Sequence, residues 1–413
     1  MRVLHICDSL NPAGLGGYES YLYYLSSAMK KRGHESFIVT QASNESGHTS
    51  GMHGEARLLL LRGNGLEVRK WKYLAAPPHE REVLAKQIFS DDDLEQNVRI
   101  LVRELSDVIS HLRPSVIHAH STYVVFNRVL ERMRESGNIG RTPMLLTVHG
   151  LPKPLVLPGG VETTDYEQLA MHMPFDSVLA VSNCVCDALK HQLERETPVP
   201  ETMYLGVDLD TFKPTLGTKN WSVAFMGRLE FMKSVDLLPD IFEELTQSME
   251  SVRFAISGDG SLRTELLREL ENRKLSSKVD YLGVVPWDEV PRVLNQTRVF
   301  LYPSRREPFG LSIVEAMACG VTVVTSNAFG PAEIVTSMSD GISVEPEVEG
   351  IVSAVERLLE NDDLYARISC NARRTVEDRF SLNTHVDSLL EIYTETVETR
   401  KSEGNEENTD RRL

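Results

Sequence analysis

Short apolar runs alternate along the chain with longer segments whose apolar positions recur at helical spacing. Runs of this kind predict buried strands, and the segments between them predict amphipathic helices. Repeated alternation of strand and helix is typical of an α/β protein with parallel sheets covered on both faces. The clearest strand candidates are Arg2–Cys7, Met144–Val148, Val279–Gly283 and Thr297–Tyr302.

Bulk composition narrows the protein class. The length of 413 residues indicates more than one domain. The formal net charge of −16 argues against non-specific nucleic-acid binding, which depends on neutralising phosphates. No run approaches the roughly 20 apolar residues of a membrane span. Cysteines are scattered without a disulfide or zinc framework, so we expect reduced thiols and a cytoplasmic protein. They are Cys7, Cys184, Cys186, Cys319 and Cys370.

Two carboxylates flank the turn that follows the Thr297–Tyr302 run. Glu307 lies on the predicted loop and Glu315 in the helix after it. Carboxylates accept several hydroxyl hydrogen bonds at once, which suits a polyhydroxylated ligand, and a helix N-terminus suits phosphate. A sugar joined to a diphosphate needs both features, although acids near a helix start can also reflect the helix dipole alone. The backbone donors would be those of Phe309, Gly310 and Leu311.

A glycine-rich loop joins Arg2–Cys7 to an amphipathic helix that ends near Lys31. This layout can cradle a phosphate, and Gly16 and Gly17 are its candidate residues. A dinucleotide fingerprint is excluded because Glu19 occupies the third glycine position and the next strand lacks a terminal acid. The alternative is a plain loop that uses glycine for turn geometry.

Two cations follow the apolar run 222–226. Arg228 ends the predicted strand, and Lys233 begins the next helical segment. Together they can bind a diphosphate and stabilise the charge that develops as a sugar leaves. The alternative is an ordinary surface pair.

Histidines end two further strands. His118 and His120 form a His-x-His pair whose imidazoles we expect to diverge, which argues against a shared metal ion. His149 follows Met144–Val148, where it could contact a ligand or simply cap the strand.

A local excess of positive charge occurs between residues 57 and 73. It could face an anionic acceptor or a membrane surface, and a solvated loop with an edge strand is the simpler interpretation. The residues are Arg57, Arg62, Arg69, Lys70 and Lys72, with Trp71 and Tyr73.

Glu307 and Glu315, with Arg228 and Lys233, resemble the signature of the GT4 family of retaining glycosyltransferases. The resemblance extends from Gly16 to about residue 393. It implies the GT-B fold, in which two Rossmann-like domains face each other across the active site. The implied domains are residues 1–205, completed by a returning helix at about 382–399, and residues 206–381. Charged residues 400–413 are expected to be a disordered tail.

The resemblance also implies roles. Glu315 would hold the donor ribose and Glu307 the donor sugar, with backbone donors at residues 309–311. His149 would align the sugar, and its carbonyl would lie near the reacting carbon. The diphosphate would be bound by Arg228 and Lys233, aided by Gly16 and Gly17. No metal or other cofactor is expected.

The implied activity is transfer of a hexosyl unit from a UDP-, GDP- or ADP-sugar to a hydroxyl acceptor, in glycan or glycolipid biosynthesis. The acceptor could be a glycan, a lipid carrier or a small molecule, with peripheral contact to the cytosolic membrane face. Three departures from the family pattern are Leu205, Ser234 and Pro308. We expect serine at 234 to matter little because serine suits a helix start. An epimerase or hydrolase of the same architecture, or a non-catalytic nucleotide-sugar-binding protein, remains an alternative.

Overall fold

The computed structural model of the protein describes residues 1–8, 10, 16–42, 50–69, 91–157, 161–193 and 198–410. Lys70, Trp71, Lys72 and Tyr73 of the basic cluster lie outside these residues.

The first domain is built on an eight-stranded sheet with the order β10-β9-β6-β5-β1-β2-β4-β3. Neighbouring strands are parallel except for the antiparallel pair β3–β4. A separate antiparallel pair, β7–β8, follows β6. The strands are β1 (Arg2–Cys7), β2 (Glu35–Gln41), β3 (Ser50–His53), β4 (Ala56–Leu61), β5 (Val116–His120), β6 (Met144–Val148), β7 (Pro154–Leu157), β8 (Val161–Thr164), β9 (Ser177–Ala180) and β10 (Glu201–Thr202).

The second domain contains a six-stranded parallel sheet with the order β13-β12-β11-β14-β15-β16. Its strands are largely buried Val, Ile, Phe and Leu, as expected for a parallel sheet covered on both faces. They are β11 (Trp221–Met226), β12 (Phe254–Ser257), β13 (Val279–Gly283), β14 (Thr297–Tyr302), β15 (Thr322–Ser326) and β16 (Ile342–Val344).

Helices connect the strands of both sheets. Those of the first domain are α1 (Gly17–Lys31), α2 (Asp91–Leu112), α3 (Val125–Glu135), α4 (Asp165–Met171) and α5 (Asn183–Gln192). Those that follow are α6 (Leu238–Ser248), α7 (Arg263–Asn272), α8 (Val290–Asn295), α9 (Leu311–Ala318), α10 (Phe329–Ile334), α11 (Val348–Glu360), α12 (Asp362–Arg379) and α13 (Leu382–Asp410). Short 3₁₀ turns occupy Phe231–Lys233 and Val235–Leu237.

The chain crosses between the domains twice. Val207 pairs with Ser381 where the outgoing and returning segments meet. A side chain at Gly206 would place its Cβ 2.5 Å from the Cα of Leu382, so only glycine allows this close crossing. Helix α13 then packs on α1 of the first domain, where Tyr21 Oη and His385 Nε2 are 2.9 Å apart. The expected pair of Rossmann-like domains with a returning helix is confirmed.

Two local expectations are wrong. The loop after His149 was expected to be irregular, but it contains the hairpin formed by β7 and β8. Helix α13 continues to Asp410, so residues 400–410 are helical rather than a disordered tail. This segment has no proline and a single glycine, and nothing in it forces the helix to stop.

None of the described helices is both long enough and apolar enough to cross a bilayer.

Candidate functional site

A cavity lies between the two domains at the N-terminus of α1. The first domain contributes the glycine pair and tyrosine, and the second contributes strand ends and the start of α9. The main lining residues are Gly16, Gly17, Ser20, Tyr24, Gly227, Ser257, Val285, Trp287, Leu311 and Glu315. A Cβ added at Gly17 would meet nothing within 4 Å, so the space in front of this residue is open.

Glu307 is the centre of a buried charged cluster. It forms an ion pair with Lys233, and its Oε2 also accepts a hydrogen bond from Tyr302 Oη at 2.7 Å. Lys233 Nζ donates to Tyr302 Oη at 2.8 Å, which closes a triangle. Burial opposes ionisation of Glu307, but the Lys233 ammonium and the Tyr302 hydroxyl outweigh it and hold the pKa of Glu307 below its usual value. The two predicted binding residues are therefore each other's partners.

Glu315 occupies the opposite electrostatic situation. It lies in α9, 7% exposed, and lines the cavity between the domains. No side-chain hydrogen bond or ion pair reaches its carboxyl from the described residues. Burial raises the pKa of Glu315 to about 8. A buried carboxyl without a partner is costly to retain, and a ligand that donates hydrogen bonds would relieve that cost.

The turn before α9 requires glycine. Gly310 has φ of 111°, and a Cβ there would also approach Ile313 Cδ1 to 2.8 Å. The backbone N–H of Phe309 donates to Glu307 Oε1 at 3.4 Å. Of the three predicted phosphate or sugar donors, Phe309 is thus already engaged by a carboxylate.

Arg228 and Lys233 come to the same edge of the second sheet in different environments. Arg228 follows β11 and is exposed, with no ion pair to a described residue. Lys233 is buried against Glu307. The turn after Lys233 contradicts the expectation for Ser234, which has φ of 56° and makes no side-chain cap hydrogen bond. Left-handed backbone disfavours any residue with a Cβ, which makes serine here a local cost rather than a neutral replacement.

The expectation that His118 and His120 diverge is wrong. Side chains two residues apart on a strand project from the same face, and the two ring centroids are only 4.1 Å apart. His5 on the neighbouring β1 joins them, because the register pairs it with His118. Burial lowers the pKa of His5 to about 3 and that of His120 well below its usual value, so both are neutral near pH 7.

One nitrogen from each of His5, His118 and His120 lies within 4.8 Å of the others. An ion could use such a spacing. However, both His118 nitrogens have hydroxyl partners, Tyr393 Oη at 2.6 Å and Thr147 Oγ1 at 2.7 Å. The cluster is held by hydrogen bonds that an ion would have to break.

His149 stands at the end of β6, with Tyr18 and Tyr21 rings 5.8 and 5.6 Å from its own. Its backbone N–H donates to Ser121 Oγ at 2.9 Å. Burial, and secondarily His385, lowers the pKa of His149 to about 3, so the ring is neutral. A neutral imidazole can donate one hydrogen bond and accept another.

Sequence reasoning assigned no role to three residues near this site. Tyr302 is the last residue of β14, and the tendency of open α/β sheets to bind ligands at strand carboxyl ends could have indicated it. Arg306 donates across the domains to the carbonyl of Pro152 at 2.6 Å. Lys153 is exposed, and its pKa is lowered by loss of hydration and by the Arg228 guanidinium. No pattern in the sequence marks Lys153.

The described part of the basic segment is engaged locally. The Arg57 guanidinium lies 5.9 Å from the Phe37 ring centroid. Arg69 donates to the carbonyl of Asn64 at 3.0 Å. These contacts favour an ordinary surface for the described residues.

Comparison with known proteins places both domains. Residues 15–211 match the family described as Glycosyltransferase Family 4, and residues 207–375 match Glycosyl transferases group 1. The chain is a glycosyltransferase of the GT4 family.

One relative of this glycosyltransferase belongs to the phosphatidylinositol N-acetylglucosaminyltransferase of Arabidopsis thaliana, of which it forms one subunit. The two chains are 26% identical over 87% of this chain and 74% of the relative. Among solved structures, sucrose-phosphate synthase from Thermosynechococcus elongatus superposes with a TM-score of 0.75 at 17% identity, covering 96% of this chain and 99% of that one. Anabaena HepE in complex with UDP and glucose gives 0.69 at 20% identity, covering 96% and 100%. These structures support the GT-B fold.

Proposed function

We propose that the enzyme is a retaining glycosyltransferase that moves a hexosyl unit from a nucleotide-diphosphate sugar to a hydroxyl acceptor. The observation that carries this proposal is the carboxyl of Glu315. It is buried and without a described partner, and it faces the same cavity as Gly16 and Gly17 of the other domain. A group in that position suits a ligand with paired hydroxyls, such as a ribose.

The remaining residues complete a donor site. Glu307 accepts hydrogen bonds from sugar hydroxyls near the 3- and 4-positions, and its pairing with Lys233 keeps it ionised. Arg228 and Lys233 bind the diphosphate, with Gly16 and Gly17 close against it. Leu311, Gly310 and Phe309 supply backbone N–H groups at the start of α9. Val285 and Trp287 line the same cavity and suit a nucleobase.

The chemistry we propose needs no protein nucleophile. The bond between the anomeric carbon and the phosphate oxygen breaks while the acceptor oxygen bonds to that carbon on the same face. The acceptor's proton passes to the departing phosphate oxygen. Arg228 and Lys233 stabilise the charge on the diphosphate, and the remaining protein contribution is positioning. No divalent metal is required in this scheme, and loss of purified activity in EDTA would contradict it.

We favour a UDP-sugar donor, with N-acetylglucosamine as the first sugar to try. HepE has been solved with UDP, and the Arabidopsis relative is named for N-acetylglucosamine transfer to phosphatidylinositol. We accordingly assign the enzyme to glycan or glycolipid biosynthesis in the cytoplasm, with peripheral contact to the membrane where the acceptor is a lipid. Co-sedimentation with phosphatidylinositol vesicles tests that contact.

The function is tested with a thermal-shift screen of UDP-, GDP- and ADP-sugars. A donor at a hundred times its Kd raises stability by about 2.7 kcal/mol, so the correct base and sugar should stand out. Turnover is then followed with candidate acceptors, and the anomeric configuration of the product is read by NMR. Inversion would refute the retaining mechanism. Turnover without any acceptor would indicate an epimerase or hydrolase, and tight binding without turnover a sensor.

A further inference from the structure

Three imidazoles form a hydrogen-bonded row from the core of the first domain to the cleft. His5 Nδ1 lies 3.0 Å from His120 Nε2, and His120 Nδ1 lies 3.1 Å from His149 Nε2. We call His5, His120 and His149 the histidine row. It joins the carboxyl ends of the adjacent strands β1, β5 and β6.

The row couples the proton positions of its members. Each ring is neutral near pH 7 and therefore carries one proton, on either Nδ1 or Nε2. Each contact in the row joins an Nδ1 to an Nε2, so one nitrogen of every pair must donate. This leaves two consistent arrangements, with the proton on Nδ1 of all three rings or on Nε2 of all three.

The two ends of the row decide between these arrangements. His5 Nε2 and His149 Nδ1 are buried atoms that have no hydrogen-bond partner in the described part of the chain. A proton on His5 Nε2 would leave a donor unpaired in the core, where His5 is only 1% exposed. Buried donors without partners are rarer in proteins than under-satisfied acceptors. The arrangement with the proton on Nδ1 leaves only a lone pair in the core.

We propose that His5 and His120 are positioning residues that hold His149 in the Nδ1–H tautomer, so that it presents a hydrogen-bond donor to an oxygen of the transferred sugar. The proposal depends on the proposed function only for the identity of that ligand. The tautomer itself is a property of the protein alone.

Two neighbouring histidines provide contrasts. His385 Nδ1 lies 2.8 Å from the carbonyl of Tyr204, which can only accept, so the backbone determines its tautomer. His118 lies between two hydroxyls, each able to donate or accept. Neither is a member of the histidine row, although His118 is equally buried.

The test is NMR of protein labelled with ¹⁵N in histidine, because imidazole nitrogen shifts distinguish the two tautomers. In the wild-type protein we expect His149 to carry its proton on Nδ1. A proton on Nε2 of His149, or an equal mixture, would overturn the proposal. This measurement needs neither donor nor turnover, so it stands apart from any failure of the proposed function.

Two replacements of His120 separate its two nitrogens. Asparagine places an amide nitrogen near the position of Nδ1, whereas glutamine places one near Nε2. His120→Asn should keep a donor for His149 Nε2, retain the tautomer and stay within about threefold of wild-type kcat. His120→Gln should lose the tautomer and lower kcat about 3- to 10-fold, the effect of one hydrogen bond. Binding of the free nucleotide, which lacks the sugar, should be unchanged in both.

The control is Thr147→Val, which removes a hydrogen bond from His118 without touching the histidine row. It should lower the melting temperature but leave the His149 tautomer and kcat unchanged. Identical spectra for His120→Asn and His120→Gln would refute the coupling. So would one equivalent of tightly bound zinc in the purified protein that is lost on His5→Phe substitution, because the cluster would then be a metal site.

Discussion

The two sides of the cleft differ in how they are built. The first domain presents neutral groups, the glycine pair and the histidine row, and it holds them with backbone geometry and imidazole hydrogen bonds. The second presents charge, with Lys233, Glu307 and Arg228 at strand ends. In the proposed reaction, charge develops on the diphosphate, so the second domain must stabilise it while the first shapes the space around the sugar. This division of labour can be tested from either side.

The largest effect is expected for Lys233→Met. The change leaves Glu307 buried without its partner, which should cost about 3–5 kcal/mol of unfolding free energy. It also removes a cation from the diphosphate site and should lower kcat about 100- to 1000-fold. Urea denaturation and initial rates with the donor measure the two effects separately.

The double variant Lys233→Met/Glu307→Gln is the control for stability. It should recover most of the lost unfolding free energy and none of the activity. Arg228→Gln is the matched surface change, and it should lower kcat with stability within about 0.5 kcal/mol of wild type. An active double variant would show that the charged side of the cleft serves folding alone.

Glu315→Gln should separate stability from binding. The folded-state pKa of about 8 lies above the ordinary value of 4.5, so the folded protein holds a proton that the unfolded chain releases. Wild-type stability should therefore fall as pH rises from about 4.5 to about 8, by up to several kcal/mol. The variant should lack this slope and be more stable at pH 8, while its donor KM rises about 10- to 100-fold.

Thermal melts between pH 5 and 9 measure the slope, and Glu349→Gln is the exposed control. An unchanged slope in Glu315→Gln would mean that this carboxyl is hydrated in solution. An unchanged donor KM would remove it from the binding site.

Gly17→Ala tests the neutral side of the cleft. An added methyl group meets no protein atom within 4 Å, so folding should be unaffected or slightly improved in helix α1. If the diphosphate lies against this backbone, the methyl group should raise donor KM at least about fivefold. Gly217→Ala is the control, because it also has open space but lies in the linker outside the cavity. Equal kinetics for the two variants would place the donor elsewhere.

Much of this architecture could be predicted from local patterns. Buried parallel strands read as continuous apolar runs, and β1 and β14 were predicted with their observed ends. The charged motifs were visible because acids and cations directly after apolar runs come together at one edge of a parallel sheet. The hairpin of β7 and β8 was not, because its strands are short and rich in polar residues and proline.

Contacts between distant segments were the part that could not be predicted. The pairing of Lys233 with Glu307 joins residues 74 positions apart, and that of His5 with His120 joins residues 115 apart. The His-x-His prediction failed for a simpler reason, since residues two apart on a strand share a face. Nothing local could reveal that His5 would complete the cluster.

Ser234→Gly should give the smallest effect, and it examines the turn that positions Lys233. Ser234 has φ of 56°, and its buried hydroxyl has no partner among the described residues. Glycine accepts left-handed backbone without a Cβ penalty, so the variant should gain about 1 kcal/mol of unfolding free energy with kcat unchanged. Ser248→Gly, at the end of helix α6, should instead lose about 0.5 kcal/mol because its backbone is helical. If Ser234→Gly gains stability but loses activity, the turn holds Lys233 in a strained position that the reaction needs, and the charged side of the cleft would depend on backbone geometry as the neutral side does.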